Sequence, residues 1–218
     1  MPSSRYEHIS DVVDVLIFLA PSSLLDVGCG FGRWGFLARE FLDIFQGRYF
    51  KNDWQTRIDG MEVFSDYICP HHKYIYNNII NANLEHAAER IPNYEVIIAG
   101  DIIEHIEKDS AKKTLEVLIK RSDKALIVCI PLGSLWPQEE VFNNPHEIHK
   151  SVWSLQELKE MGAKYIKLYF IDKRPYAFSV WTDFAIPSMS GHLVKSETQD
   201  LSIIKRFFVS LRRKQVMV

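Results

Sequence analysis

Cysteine is scarce. Cys29, Cys69 and Cys129 are the only three in 218 residues, and they lie too far apart for a disulfide framework or a zinc spacing. Long apolar runs are missing too. The longest candidate membrane run, VLIFLA at 15–20, stops at Pro21 and is far too short to span a bilayer. The opening MPSSRYEHIS lacks the charged-then-apolar pattern of a secretion signal, so a reducing cytoplasm is the expected setting. Net charge is small, −2 by formal count, which argues against general coating of nucleic acid; DNA is not an expected partner. No internal repeat or low-complexity segment is present. What remains is an ordinary globular composition, 47% hydrophobic and 25% charged, long enough to bury a full core.

Apolar positions Ile9, Val12, Val13, Leu16 and Ile17 recur at helical spacing, so the chain opens with an amphipathic helix. SLLDV then reads as a buried strand, followed by a glycine turn and a helix to about Phe45. TRIDGMEVF (56–64) predicts a second strand ending in Glu62, and KYIYNNII (73–80) a third, weaker one. LEHAAERI (84–91) reads as a short helix. YEVIIAGD (94–101) is a strand, 109–120 a helix, and KALIVCIP (124–131) the fifth strand. After a loop over 132–153, Ser154 and Glu157 have capping-box spacing and Gly162 closes the helix they open. KYIKLYFID and YAFSVWTDF around KRP predict a terminal hairpin. Strands alternating with helices imply a Rossmann-like α/β fold: seven strands, mostly parallel, helices on both faces and an antiparallel hairpin at the end. Residues 1–186 form this expected domain. Residues 187–218 read as a basic tail, a loop plus an amphipathic helix with Leu201, Ile204, Phe208 and Leu211 on one face. Residues 195–218 carry a net +4, which leaves about −6 on the remainder.

The stretch LLDVGCGFGRWG (24–35) ends a strand on an acid and spends four of its last eight residues on glycine. Ligands in open α/β sheets sit at the carboxyl ends of the strands, and three signals fall there: this turn, Glu62 and Asp101. Two ligands compete for it. Gly30-x-Gly32-x-x-Gly35 matches a dinucleotide fingerprint, but Asp26 would then repel a pyrophosphate. In the register Gly28-x-Gly30-x-Gly32, Asp26 faces a cationic amine or sulfonium, backbone amides meet one carboxylate, and Glu62 accepts ribose hydroxyls. S-adenosylmethionine carries all three groups.

On these residues the chain resembles the class I S-adenosylmethionine-dependent methyltransferases. LLDVGCGFGRWGFL is similar to their motif I, IDGMEVF to their second-strand acidic motif, and YEVIIAGDIIEHI to the D-x-x-E-H strand-4 motif of the small-molecule branch. The resemblance covers about residues 5–184. It implies that Asp26, Gly28, Cys29, Gly30, Gly32, Met61 and Glu62 hold the cofactor and that Asp101 lies beside its methionine end. The sequence departs from the pattern at strand 3, where Asn81 and Asn83 replace the usual acid near the adenine, and at QGRYFKNDWQT (46–56), which reads as an insertion.

Methyl transfer needs an acceptor aligned within about 3–3.5 Å and a base when the acceptor is a hydroxyl. The long loop is the place to look. NNPHEIHKSVW places His146, Glu147, His149 and Trp153 there, with Asn143 and Asn144 as orienting amides; this resembles an N-P-x-E-x-H-x-x-x-W stretch of related methyltransferases. His149 is the leading base, with His146 and Asp101 beside it; the bland alternative is that the histidines only tie the loop down. Trp136 and Trp153 would wall an acceptor or simply pack. Asp101, Glu104, His105 and His149 also resemble the metal ligands of small-RNA 3′-end 2′-O-methyltransferases and of some quinone O-methyltransferases. A divalent ion would acidify an acceptor hydroxyl there, although the metal-free reading is preferred. The CPHH at 69–72 looks metal-like, but its setting beside a proline in a loop favours a structural role.

The expectation is thus a methyltransferase acting on a small-molecule or glycan-type acceptor, at oxygen. Its rivals are a metal-assisted RNA 2′-O-methyltransferase, a nicotinamide-dependent dehydrogenase and a non-catalytic partner protein of the same fold. Segment 201–214 is a candidate contact with a partner or with the inner face of a membrane.

Overall fold

A computed structural model describes residues 5–136, 139 and 143–194. The amphipathic helix expected in the basic tail and the candidate contact segment 201–214 lie outside the described residues.

Seven strands form one sheet in the order β3-β2-β1-β4-β5-β7-β6. Strands β1 (Ser23–Val27), β2 (Arg57–Glu62), β3 (Asn78–Asn81), β4 (Tyr94–Gly100) and β5 (Ser122–Pro131) run parallel. β7 (Arg174–Thr182) lies antiparallel between β5 and β6 (Tyr165–Ile171). The β6–β7 hairpin turns on Asp172 and Lys173, both at positive φ (49° and 67°), as a two-residue turn that matches strand twist requires.

Side-chain alternation along the central strands divides the core in two. Leu24, Val96, Ile98 and Ile127 face one side, where they meet α1 (Ile9–Leu19), α2 (Arg33–Leu42) and α3 (Pro70–Ile75). Leu25, Ile97, Ala99 and Leu126 face the other, against α4 (Leu84–Ala87), α5 (Lys108–Arg121) and α6 (Leu155–Glu160). Both faces are therefore covered, and this is why β4 and β5 read as unbroken apolar runs. No helix among the described residues is long and apolar enough to cross a membrane.

Local expectations hold for β1, the long helix α5 and the capping box of α6, where the Ser154 side chain accepts from Glu157 N–H and Glu157 reaches back to Ser154 N–H. Three boundaries differ. α2 stops at Leu42, and a separate 3₁₀ turn covers Ile44–Gln46. Residues 84–91 divide into α4 and a 3₁₀ turn over Ala88–Arg90. The third strand is shorter than KYIYNNII, because Pro70 begins a helix that runs to Ile75 and leaves only Asn78–Asn81 for β3.

The expected insertion at 46–56 is fastened from within. Arg39, buried in α2, pairs with Asp43 and donates to the carbonyls of Thr56 (2.8 Å) and Ile75 (3.1 Å), and its guanidinium carbon lies 4.3 Å from the centre of the Trp54 ring. Asp43 in turn accepts from Arg48 and from the backbone N–H groups of Gln55 and Thr56. Residues 187–194 pack on the sheet: Met189 is buried in the first core cluster, and Leu193 bridges to Tyr165.

Candidate active site

β1 is flanked by β2 on one side and β4 on the other, so the chain's winding reverses there. A cavity of about 430 Å³ opens at the carboxyl ends of these strands. Gly28, Cys29, Gly30, Met61, Glu62, Asn83, Asp101, His146 and His149 all line it. Of the expected cofactor residues, Asp26, Gly32 and Asn81 do not.

Each of those three has a different task. Asp26 lies fully buried behind the turn, where its Oδ2 accepts from Gly35 N–H (3.2 Å) and from the Tyr76 hydroxyl (2.5 Å). Burial pushes its carboxyl up to about 7, with the Glu62 charge adding to the shift and the two hydrogen bonds opposing it. Asp26 thus stands outside the cavity lining and braces the turn from behind through Oδ2, while its buried Oδ1 has no hydrogen-bond partner among the described residues. Gly32 caps α2 at φ 89°, and the Asn81 side-chain amide donates to the carbonyls of Glu62 (2.8 Å) and Val63 (3.2 Å). Asn83 lines the cavity, and its side chain also caps α4 by accepting from Glu85 N–H.

Glu62, at the end of β2, is the carboxylate that reaches the cavity. Its Oε2 accepts from Gly30 N–H (2.9 Å) and its Oε1 from Phe64 N–H (3.0 Å), and each oxygen keeps a lone pair. The other side of Gly30 is held by CPHH. His72 Nδ1 accepts from Cys69 N–H (3.1 Å), so its proton sits on Nε2, which meets the Gly30 carbonyl at 2.8 Å. His71 Nε2 stands 3.0 Å from the Phe31 carbonyl. The metal-like spelling of this segment is therefore a strap across the glycine turn.

Asp101 follows β4 with φ 54°, a left-handed backbone that aspartate tolerates and that recurs at ligand sites. Its Oδ1 accepts from the Tyr176 hydroxyl on β7 (2.8 Å). The loop carrying the histidines is tied to the turn after β4: Lys150 and Ser151 N–H donate to the Glu104 carbonyl at 2.8 and 3.0 Å. Asn144, buried, accepts from His146 N–H and donates to Glu147, which also receives the Tyr67 hydroxyl. Trp153 is buried beside Lys108 and donates to Ser151; it does not line the cavity, whereas Trp136 does.

Glu104, His105 and His149 each bring one ligand atom to within 4.8 Å of the others. Asp101 is not part of that group. The two imidazoles meet edge to face at 4.9 Å. His105 Nδ1 is 3.2 Å from the Ile148 carbonyl, which fixes its proton there and leaves Nε2 as an acceptor. Burial lowers both histidines, His105 to about 4, so both are neutral and hold a lone pair at physiological pH. Glu104 is buried, neither of its oxygens has a hydrogen-bond partner among the described residues, and burial beside Asp101 and Glu147 raises its carboxyl well above the usual range.

No family model matches the chain, and no curated protein matches it in sequence. Solved structures do match in fold. TehB from Haemophilus influenzae aligns over 80% of this chain at 13% identity and a TM-score of 0.57. Magnesium protoporphyrin IX methyltransferase (ChlM) from Synechocystis PCC 6803, with bound SAH, covers 80% of this chain and 81% of its own length at 13% identity and a TM-score of 0.51. The methyltransferase domain of a bacterial Hen1 (CtHen1-C) covers 82% of this chain and 98% of its own length at 18% identity and a TM-score of 0.51. The matched region spans less than two thirds of TehB, 62% of its length. The chain shares the Rossmann-like fold of these methyltransferase structures.

Proposed function

We propose that the protein is an S-adenosylmethionine-dependent methyltransferase that methylates a small-molecule or glycan-type acceptor at oxygen. The observation that carries this reading is the pairing of Glu62 with Gly30 N–H in the wall of a switch-point cavity that half-buried His149 also lines. The site suits the cofactor. The Glu62 carboxylate has lone pairs left for ribose hydroxyls, Met61 and Leu84 offer apolar surface for the adenine, and Asn83 offers an amide. When bound, S-adenosylmethionine supplies a methyl group already activated on a sulfonium, so the chain needs to align and deprotonate. Asp101 borders the reacting end, held there by Tyr176. Neutral His149 takes the acceptor's proton, with His146 exposed at the rim.

Calorimetric titration tests this with S-adenosylmethionine, S-adenosylhomocysteine and NAD on wild type and Glu62→Ala. Binding of the first two, weakened tenfold or more in the variant, supports the reading. Binding of NAD alone overturns it in favour of a dehydrogenase, and silence from all three favours a non-catalytic partner protein.

A second reading adds a divalent ion held by Glu104, His105 and His149. The unpartnered buried carboxylate and the two neutral imidazoles are a donor set that fits one. Such an ion would supply Lewis acidity at the acceptor oxygen. Titration of the chelator-treated protein with Mn²⁺ and Mg²⁺ decides it: one bound ion per chain, lost in Glu104→Gln, supports the metal, and no uptake removes it.

A further inference from the structure

The part of the cavity wall nearest Asp101 has a charge pattern that methyl transfer does not explain. Three arginines from three separate segments line the cavity: Arg5 ahead of α1, Arg33 at the first turn of α2, and Arg174 at the start of β7. Contacts join them into one group. Arg33 Nη1 donates to the Arg5 carbonyl at 3.1 Å. The guanidinium carbon of Arg174 lies 4.6 Å from the centre of the Trp136 ring, and that ring is 5.9 Å from Tyr176, whose hydroxyl donates to Asp101.

Acids outside the cavity wall steady two of these guanidinium groups. Glu7 receives Arg5 at 2.9 Å and Asp172 receives Arg174 at 3.3 Å, and neither acid lines the cavity. Each contact uses one nitrogen of a five-donor fork. Arg5 Nε is buried without a hydrogen-bond partner among the described residues. Arg33 is half-buried close to Asp101 and Tyr176. Of the cavity's acids, Asp101 lies close to Arg33, while Glu62, Glu85, Glu104, Glu139 and Glu147 come from β2, α4, the turn after β4 and the long loop, none of which carries one of the three arginines.

We propose that the methyl acceptor is an anion: a small ring compound whose phosphate or carboxylate group is held by Arg5, Arg33 and Arg174, with its ring against half-buried Trp136. This rests on the methyltransferase reading, since it places the acceptor beside Asp101. Guanidinium forks hold carboxylate and phosphate oxygens in pairs, and a ring stacked on Trp136 keeps such an acceptor in the orientation an in-line transfer needs.

The experiment titrates three probes into the full-length protein, with and without S-adenosylhomocysteine: 4-hydroxybenzoate, phenyl phosphate and neutral phenol. Wild type is compared with Arg174→Gln, Arg33→Gln and the conservative Arg33→Lys, with melting temperature as the folding control. The expected result is binding of both anions and weak or no binding of phenol. Each glutamine variant should lose about tenfold in anion affinity, and Arg33→Lys should retain part of it. Affinity for S-adenosylhomocysteine should stay the same in all three. Equal affinity for phenol and the anions, or anion binding indifferent to both glutamine variants, overturns the proposal. If S-adenosylhomocysteine fails to bind while the anions bind in an arginine-dependent way, the cofactor reading fails and the anion site stands.

Discussion

Gly28→Ala isolates what the first glycine of the turn does for the fold. Its backbone sits at φ 66°, in the left-handed region. An alanine Cβ placed there would lie 1.8 Å from Ile102 Cδ1 and 2.4 Å from its Cγ1. The left-handed alanine costs about 1–2 kcal/mol, and pushing Ile102 aside adds about 1–3 kcal/mol. The expected loss is therefore roughly 2–5 kcal/mol, a large share of a domain stability of about 5–15 kcal/mol. A double-mutant cycle with Ile102→Ala separates the two contributions. With the isoleucine trimmed, the overlap is gone and only the backbone cost remains, so Gly28→Ala should cost about 1–2 kcal/mol in that background, a coupling of about 1–3 kcal/mol. Urea unfolding followed by circular dichroism gives these values, provided the slope m is the same in all four proteins. A Gly28→Ala cost that is unchanged in the Ile102→Ala background would show that the overlap is relieved by side-chain rotation, and the reasoning would fail.

Three more perturbations probe the supports of the site. Asp26 has a folded-state pKa of about 7, above its ordinary value of 3.8, so its contribution to stability is present below about pH 4 and is lost as pH rises towards 7; unfolding of wild type against Asp26→Asn should show wild type losing ground across that window, and a constant difference refutes the assignment. His72→Phe removes the grip on the Gly30 carbonyl and should weaken S-adenosylhomocysteine about tenfold in calorimetry, with His72→Gln intermediate; equal affinity in all three would make the strap irrelevant to binding. Arg39→Ala leaves Asp43 buried and ionised with one of its two guanidinium partners gone and should cost about 3–5 kcal/mol in urea unfolding, so a loss under 1 kcal/mol would show that Arg48 alone neutralises it.

The elements legible in the sequence are those whose signals are local. Ser154 and Glu157 stand three residues apart and cap their own helix; the apolar run of β4 needs no partner to be recognised; the glycine turn follows β1 directly. The supports of the site were harder to read because they join distant positions. Tyr76 reaches Asp26 across fifty residues of chain, and His72 reaches Gly30 across forty-two. One signal does point to the true place of Asp26. Residues two apart on a strand share a face, and Leu24 faces the core cluster that contains Trp34, Ile75 and Tyr76. Asp26 therefore points under α2 and α3 and away from the cavity mouth. The third-strand expectation failed for a related reason: Pro70 and the Cys69 cap commit the chain to a helical turn before the β-branched residues take up the strand.

The peptide groups on either side of Gly30 show how the site is prepared for a ligand. Glu62 takes the N–H from β2, His72 takes the carbonyl from α3, and Asp26 holds Gly35 at the start of α2. Three side chains from three elements thus fix a segment whose glycines would otherwise sample many conformations. A turn restrained in this way loses little further entropy when a ligand settles against it. The opposite wall is built differently. His146 and His149 sit on a loop tethered at its far end, where Lys150 and Ser151 hold the Glu104 carbonyl, and capped by Asn144 at its near end. The turn side is held by sheet and helices, while the loop side is held by scattered single bonds: the Glu104 carbonyl, Asn144, the Tyr67 hydroxyl on Glu147 and His105 at the Ile148 carbonyl. The Ser151 hydroxyl adds its own bonds, donating to the carbonyls of Ile103 (3.3 Å) and Glu104 (3.4 Å) and accepting from Trp153, so Ser151→Ala, like substitutions at Asn144, should alter acceptor affinity and turnover while leaving S-adenosylhomocysteine affinity unchanged. Parallel loss of both in Ser151→Ala, measured by calorimetry with 4-hydroxybenzoate and S-adenosylhomocysteine, would show that the two walls are one mechanical unit.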